Sequence, residues 1–247
     1  MKQYSKITCP QCNKDDLVKN GHSENGTQRY RCKSCKKSFQ LDYTYNAWSP
    51  GVKEQIEVQT LNSSGVRDIS RNLGISKSTV ISELKKKTPE EVNPFFLSGI
   101  QSCPLDIEIH LHAEADEFWS YVGNKANQRW TGYAIEKTSG VILAWQNGKR
   151  TDESCARLME KLSDFPIRYF YTDDWQSYKK YVPSERHIIG KDNTWKIERR
   201  NLNFRTHIKR LNRKTICFSK NEEIHDNVIG MYINRYYFTG GSFLESI

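Results

Sequence analysis

Four of the seven cysteines form two closely spaced pairs, Cys9 with Cys12 and Cys32 with Cys35, and such pairs bind metal ions. Two residues separate the members of each pair, so both sulfurs of a tight turn can face one ion. The roughly 40 residues around them are too few for a self-sufficient core, so a metal would supply folding energy. We predict one structural Zn²⁺ in a zinc ribbon at residues 1–42, with a disulfide or redox pair as the alternative.

Three acids and one arginine form a second set, which could act on phosphodiesters. Asp116 lies in a predicted strand, Asp173 comes directly after another strand, and Glu198 opens a predicted helix. Carboxylates that converge from two strands and a helix can hold two divalent ions, which activate a water or a 3′-hydroxyl. Arg205 lies two turns after Glu198 on the same helical face. Spacing alone does not show convergence, and an acid among basic neighbours is as often a salt-bridge partner.

A mixed α/β domain, which we predict at residues 106–247, must position these acids. Strand alternation and apolar helical stripes indicate three strands, a helix, a strand, a short helix, a strand and a long helix. The predicted elements are strands at 112–122, 130–135, 141–145 and 167–171, a helix at 152–162, a strand near 187–189 and a helix from about 194. The first three strands should form an antiparallel meander.

A helix-turn-helix is predicted ahead of this domain, at residues 48–88. Ser49 and Pro50 suit the start of its first helix, and Gly74 suits the end of its second. Ser76 would cap a third helix. The apolar stripe of that helix has three members: Val80, Ile81 and Leu84.

The start of the third helix is the part predicted to contact DNA. Lys77, Ser78 and Thr79 would face base edges or phosphates, and the basic run at 85–87 supports this interpretation. A plain helical hairpin is the alternative. Two prolines and an acidic pair at 88–94 suggest a linker before the α/β domain.

The distribution of charge favours a nucleic-acid partner. The formal net charge is +9, and residues 1–105 carry 16 basic and 10 acidic side chains, while 179–214 carry 12 and 3. The rest of the chain is acidic, as a site for divalent cations requires. No apolar run approaches the roughly 20 residues that cross a bilayer, and the N-terminal residues lack the apolar segment of a signal peptide. We therefore expect a cytoplasmic, nucleoid-associated protein with reduced cysteines.

The chain resembles the transposases of the insertion sequence 1 family over nearly its whole length. The match is carried by the two cysteine pairs and by the segments 28–32, 115–125, 171–175, 187–191, 196–199, 213–220 and 225–226. The resemblance implies a ribonuclease H-like fold with an Asp-Asp-Glu active site and two Mg²⁺ or Mn²⁺ ions. It also implies a zinc ribbon and a helix-turn-helix that bind element ends.

The family spacing assigns the three acids and the arginine. In the family, 24 residues separate the second Asp from the Glu, and 24 separate Asp173 from Glu198 here, which selects Asp173 over Asp174. The family's basic residue seven positions after the Glu matches Arg205. The first acid maps to Asp116, with Glu117 as the less suitable substitute.

Several further residues follow with less definite roles. Lys191 and Lys196 are expected to bind phosphates. His187 lies between the second Asp and the Glu, where it would approach the scissile phosphate, serve as a surface group or support a residue of the site. His225 and Asp226 match the family without a physical role.

The resulting hypothesis is a transposase that binds the inverted-repeat ends of an insertion sequence, cleaves DNA strands and joins the 3′ ends to target DNA. The resemblance also implies a homodimer, because two DNA ends must be paired. Two rivals stay open: a zinc-ribbon and helix-turn-helix regulator without catalysis, and a ribonuclease H-like nuclease without strand transfer.

Overall fold

The computed structural model describes residues 7–23, 26–41, 45–101, 110–190 and 195–238. These form two compact units, Met1–Trp48 and Ser49–Ile247. No helix in these ranges is long and apolar enough to span a membrane.

The first unit is a three-stranded antiparallel sheet beside the cysteine pairs. Its strands are β1 (Leu17–His22), β2 (Gln28–Cys32) and β3 (Ser38–Gln40), in the order β1-β2-β3. Its core holds little besides Cys9, Cys32 and Phe39, so apolar burial alone cannot account for its stability. This is the small, metal-dependent module that the cysteine spacing predicts.

The second unit begins with three short helices, α1 (Val52–Leu61), α2 (Val66–Leu73) and α3 (Lys77–Lys85). Gly74 ends α2 in a left-handed conformation with φ 62°, and the Ser76 side chain accepts the Thr79 amide at the start of α3, as predicted. The predicted start of α1 at Ser49 and Pro50 is wrong. The helix begins at Val52, because Gly51 adopts a left-handed φ of 82° that places both residues in the preceding turn.

One position of the predicted apolar stripe in α3 does not face the core. Val80 and Leu84 are buried, whereas Ile81 is 36% exposed. Val80 and Leu84 are four residues apart and share one helical face, and Ile81 lies about 100° away from Val80. The face that Ile81 occupies is therefore available to a partner.

The segment after α3 packs along the α/β domain instead of forming a free linker. Val92 pairs with Ala144, and the indole of Trp145 donates to the Glu90 carbonyl over 3.0 Å. Asn93 is fully buried, and its side-chain amide donates to the Ile142 carbonyl. A helix that the sequence did not indicate, α4 (Pro94–Gln101), follows.

A five-stranded mixed sheet forms the centre of the α/β domain. Its strands are β4 (Leu111–Tyr121), β5 (Gln128–Glu136), β6 (Ile142–Gly148), β7 (Ile167–Thr172) and β8 (His187–Ile189). Their order is β6-β5-β4-β7-β8; the first three are antiparallel neighbours, and β7 and β8 run parallel to β4. The mixed α/β, ribonuclease H-like prediction is confirmed, including the meander.

Helices cover both faces of this sheet. They are α5 (Asp152–Leu162), α6 (Gln176–Tyr181), α7 (Trp195–His207) and α8 (Glu222–Ile233), which continues into a π-helical turn, Asn234–Phe238. Beneath α5 and α6 lies an aliphatic core that includes Ala113, Ala115 and Leu158. The face under α7 is aromatic, with the Phe204 ring 5.1 Å from that of Phe118 and 5.5 Å from that of Tyr133.

His225 and Asp226 fix α8 to the end of β4. Ser120 donates to the Arg129 carbonyl and therefore accepts the Nε2 proton of His225, while Ser219 lies 2.8 Å from its Nδ1. The carboxylate of Asp226 binds the Arg129 guanidinium in a two-point ion pair. Both residues thus have a structural role that the sequence did not reveal.

We expect His225 to make the protein acid-sensitive. Burial, with repulsion from Arg210 and Arg129, lowers its pKa to about 3, so the folded chain keeps it neutral while the unfolded chain binds a proton below its ordinary pKa of 6.5. Stability from this residue is complete above pH 6.5 and falls as the pH drops towards 3. Between pH 6.5 and 5 the loss is about 2 kcal/mol.

Urea unfolding at several pH values measures this loss, and the matched variant is His225→Gln. The variant should be less stable at neutral pH but should lose less stability on acidification than the wild type. Equal pH slopes in the two proteins would contradict the prediction.

Candidate active site and metal centre

The four predicted cysteine ligands converge in the first unit. Their Sγ atoms all lie within 4.8 Å of one another, with Cys9 and Cys35 separated by 3.6 Å and Cys12 and Cys32 by the same distance. Sulfurs around one tetrahedral Zn²⁺ are about 3.8 Å apart, given a Zn–S bond of about 2.3 Å. All four are free thiols, not disulfides. The cluster fits one structural zinc.

The turn geometry also prepares a thiolate. The backbone amide of Cys35 hydrogen-bonds to the sulfur of Cys32 and lowers the pKa of that thiol to about 6, although burial opposes the change. A thiolate, not a thiol, binds zinc, so Cys32 is prepared for the metal. Against a hydrogen bond from the Lys14 amide, burial and the neighbouring thiols raise the pKa of Cys12 to about 12, so this thiol loses its proton only when the metal binds.

Strand β4 separates the two adjacent candidate acids onto opposite faces of the sheet. Side chains alternate along a strand, so Asp116 faces α7 while Glu117 faces α5 and α6. Asp116 accepts a hydrogen bond from the side-chain amide of Asn201 over 2.7 Å. Glu117 accepts from the Arg150 guanidinium over 2.7 Å and from the Tyr178 hydroxyl over 3.0 Å.

Asp173 lies beside Asp116 at the end of the neighbouring parallel strand. Glu114 pairs with Tyr171, and two further steps in this register bring Asp116 next to Asp173. The carboxylate of Asp173 accepts the Trp175 amide over 3.0 Å and is 40% exposed. It lies 3.8 Å from the Arg150 guanidinium. Asp173 therefore lies at the carboxyl end of β7, where its side chain is accessible to solvent.

Helix α7 presents Glu198, Asn201 and Arg205 along one face. Positions separated by three and four residues lie on one side of a helix, and Asn201 is the member that contacts Asp116. Glu198 in the first turn is exposed, and the side chain of Arg205 is partly buried. The face that carries the proposed third acid is thus directed at the strand that carries the first.

Burial and neighbouring charge shift the pKa values of the adjacent acids Asp116 and Glu117. Burial, then repulsion from Asp173 and Glu198, raises the pKa of Asp116 to about 6, against the hydrogen bond from Asn201. Burial likewise raises the pKa of Glu117 to about 7, despite Arg150. Asp173 and Glu198 are therefore close enough to affect Asp116, and these three acids repel one another.

The three acids do not form a closed metal cage. Within the described residues, the four cysteines are the one group of three or more metal-ligating side chains whose ligand atoms lie mutually within 4.8 Å. The ligand oxygens of Asp116, Asp173 and Glu198 are therefore not all within that distance of one another. An arrangement of oxygen ligands that repel one another is nevertheless the type that Mg²⁺ and Mn²⁺ bind.

Arg205 has an unused donor beside these acids. Its Nε is buried without a hydrogen-bond partner among the described residues, and its guanidinium lies 5.9 Å from the Phe118 ring. Burial, followed by repulsion from Arg213, lowers its pKa. A buried donor without an acceptor is costly, so the position favours an anion that supplies one.

Comparison with known protein families identifies the family of the chain. The family model described as "IS1 transposase" matches residues 109–239, which is more than half of the chain. The chain belongs to the IS1 transposase family. Models described as "InsA N-terminal domain" and "InsA C-terminal domain" match residues 5–36 and 43–88.

Individual relatives match a little more than half of the chain. The chain is 50% identical over 128 residues to the insertion element iso-IS1n protein InsB of Shigella dysenteriae, covering 52% of this chain and 98% of the relative. It is 40% identical over 151 residues to the insertion element IS1 9 protein InsB of Escherichia coli strain K12, covering 61% and 86%.

A solved structure is also similar. It is the cryo-electron microscopy structure of a simian T-cell lymphotropic virus intasome in complex with PP2A regulatory subunit B56 gamma. The identity is 13% and the TM-score 0.37, with 72% of this chain and 64% of that chain covered.

In this family member, His187 supports the second acid indirectly. The Thr172 hydroxyl donates to the Asp173 carbonyl over 2.8 Å, so it accepts the Nε2 proton of His187 at 2.7 Å. Burial, then repulsion from Lys179, lowers the pKa of His187. These contacts hold the end of β7 and leave Nε2 engaged.

The residues predicted to bind DNA have different surroundings. Lys77 and Ser78 are exposed at the start of α3, although the Ser78 and Thr79 hydroxyls each lie 2.8 Å from Ser76. The ammonium of Lys196 donates to two backbone carbonyls in the β5–β6 turn, at 2.6 and 3.2 Å. Lys191 lies outside the described residues.

Sequence reasoning missed Asn201 and Arg150. Asn201 also accepts the Tyr133 hydroxyl over 2.9 Å, so its orientation is fixed from two sides. Arg150 bridges Glu117 and Asp173 and lies between the rings of Trp130 and Trp175, at 5.0 and 4.7 Å. The only local signal was the position of Asn201 one turn after Glu198.

Removing one zinc ligand should unfold the first unit alone. We expect Cys12→Ser to lose the bound Zn²⁺, because three thiolates leave the tetrahedral shell incomplete, while residues 49–247 keep their cooperative thermal transition. Zinc content by mass spectrometry and calorimetry are the measurements. Cys217→Ser, which changes an exposed thiol, is the control and should retain about one zinc per chain. Equal zinc content in both variants would contradict the assignment.

Asn201→Leu should slow DNA strand cleavage without unfolding the chain. Loss of a partner that orients a metal-binding carboxylate typically costs about 10–100-fold in activity or metal affinity. We expect a higher Mg²⁺ concentration for half-maximal cleavage. Asn203→Leu is the control, since this residue lies about 200° around α7 from Asn201. Equal metal dependence in the two variants would be evidence against a positioning role.

Proposed function

We propose that the chain binds the inverted-repeat ends of an insertion sequence, cleaves DNA strands there and joins the 3′ ends to target DNA. One observation carries the proposal: Asp173, directly after the end of β7, lies beside Asp116 on the parallel neighbour β4, and the Asp116 side chain faces the helix that presents Glu198. Ligand sites in α/β sheets gather at such strand ends.

Asp116, Asp173 and Glu198 would hold two Mg²⁺ or Mn²⁺ ions. The donor set fits, because it consists of carboxylate oxygens and because cations relieve the repulsion from Asp173 and Glu198 that adds to burial in raising the pKa of Asp116. Such ions activate a water or 3′-hydroxyl and stabilise the leaving oxygen of a phosphodiester. In the chain itself, Asn201 holds one oxygen of Asp116 and so orients the other.

Arg205 would hold the scissile region of the DNA backbone. Its buried Nε lacks an acceptor, and a phosphate oxygen would satisfy it with a charge-assisted hydrogen bond. Lys196 and Lys191 are assigned nearby phosphates; for Lys196 this requires leaving the carbonyls of the β5–β6 turn.

The ends of the element would be read by the N-terminal modules. We assign residues 1–42 to the zinc ribbon, 48–88 to the helix-turn-helix and 106–247 to catalysis. The exposed face of α3, with Lys77 and Ser78 at its start, is suited to the major groove, and Thr79 would add a contact beside its cap. Double-stranded DNA is the partner, and a homodimer would pair two element ends.

Asp173→Asn should abolish Mg²⁺-dependent joining of a labelled element end to plasmid DNA. The loss should be at least about 100-fold, because a metal ligand contributes several kcal/mol to transition-state stabilisation. The matched control is Asp174→Asn, because Asp174 is 72% exposed and pairs with Lys179 at 2.5 Å. The control should join normally.

The same assay separates the rivals. A regulator would bind the ends without cutting, and a nuclease would cut without joining. If Asp173→Asn still joins ends, the assignment of the second acid is wrong.

A further inference from the structure

A basic loop, residues 212–220, connects a short 3-10 turn at Lys209–Leu211 to α8. Its second half is held by β4 and the residues that follow that strand. The Tyr121 hydroxyl donates to the Thr215 carbonyl over 3.0 Å, and the Phe218 ring lies 5.6 Å from that of Tyr121. Ser219 is buried and pairs with Val122. The loop is therefore a built element with defined anchor points.

The tip of the basic loop presents Ile216 to solvent. Its side chain is 94% exposed, the highest value among the exposed large hydrophobic residues of the described chain. The Cys217 amide donates to the Thr215 hydroxyl over 3.0 Å, which closes the tip as a tight turn around Ile216. A single exposed apolar side chain needs no explanation by itself, but one held at the tip of an anchored turn is presented for contact.

Positive charge surrounds this tip. Arg213, Lys214 and Lys220 lie on the basic loop, all exposed, and the described loop residues include no acid. The acids at the start of α8 are partly used elsewhere, since Glu223 pairs with Lys85 at 2.7 Å. Duplex DNA complements this tip. Its phosphates can bind the cations, and its stacked bases can take up the apolar side chain.

The basic loop also lies near the proposed catalytic acids. The Arg213 guanidinium lies 4.7 Å from the ring of Trp119, which is three residues after Asp116 on β4 and points to the opposite face of that strand. Arg213 also repels Arg205, which lies one turn after Asn201 on the same face of α7. A DNA strand that binds Arg205 beside Asp116 would therefore pass close to Arg213 on the loop.

We propose that Ile216 is an apolar wedge that enters the DNA duplex between base pairs beside the cleavage site, while Arg213, Lys214 and Lys220 bind the flanking phosphates. The proposal rests on the proposed function, since it names how that site opens its DNA. Insertion of an apolar side chain unstacks a base step and kinks the duplex. Burial of the fully exposed isoleucine offsets part of this cost, and opening the step makes the scissile phosphate accessible.

Base unstacking can be measured directly with 2-aminopurine, which becomes brighter when it leaves the stack. The full chain is mixed with element-end duplexes that carry the probe at successive positions across the cleavage site, with Ca²⁺ in place of Mg²⁺. We expect a several-fold rise at one step, and loss of most of that rise with Ile216→Ala at saturating protein. Phe95→Ala, which removes another exposed ring, on α4, is the control and should keep the rise.

The exposed thiol of Cys217 gives an independent test of position. A duplex with a disulfide-activated thiol tether on a base should cross-link to Cys217 at the step that brightens, and Cys217→Ser should not cross-link. Cross-linking spread evenly along the duplex would overturn the proposal.

Failure of the wedge can be distinguished from failure of the proposed function. Asp173→Asn should unstack the DNA normally while losing joining, and Ile216→Ala should unstack poorly and join slowly, with joining recovered on a duplex that carries a mismatch at the same step. If Ile216→Ala leaves fluorescence unchanged, the wedge is wrong even where joining is intact. If it instead changes the oligomeric state without DNA, the loop contacts a second copy of the chain.

Discussion

The hydrogen bond from the Ile197 amide to the buried carboxylate of Glu114, 3.2 Å long, fixes the position of helix α7 on the central strand β4. It offers an acceptor and a negative charge to the start of α7, where both are favourable, although burial raises the pKa of Glu114. Two residues along β4 advance about 6.6 Å, and three or four residues along α7 advance about 4.5–6.0 Å. Contacts therefore recur in step: Glu114 with Ile197, Asp116 with Asn201, and Phe118 with Phe204.

This matching of strand and helix explains why the acids can be brought together without local strain. Asp116 is the second of three β4 side chains that face α7; the first anchors the helix and the third packs against it. The parallel partner β7 then ends with Asp173 at the same level. The like-charged acids are held in place by the three contacts between β4 and α7. Removing any one of these contacts would displace the acids from one another.

The strands of the mixed sheet, the zinc ligands, the end of α2 at Gly74 and the cap of α3 at Ser76 were predictable because their signals are local. Alternation placed β4, and cysteine spacing placed the metal cluster. Asn201 was not predictable, because its partner lies 85 residues away and only the folded sheet brings them together. Ile81 was misplaced for a related reason: three apolar residues in a short helix do not show which side of that helix its neighbours cover. Family resemblance, not spacing, chose Asp116 over Glu117.

Part of the positive charge that the sequence analysis assigned to DNA binding forms an ion pair within the protein, with helix α8. Lys85 pairs with Glu223, and Asn227 donates to the Leu84 carbonyl at the end of α3. Further along α8, a Cβ at Gly230 would lie 2.4 Å from Pro89, so only glycine permits this close approach. The helix-turn-helix is thus packed on the helix that also ends the basic loop. Under the proposed function, packing along α8 rather than a flexible linker sets the distance between end recognition and strand cleavage.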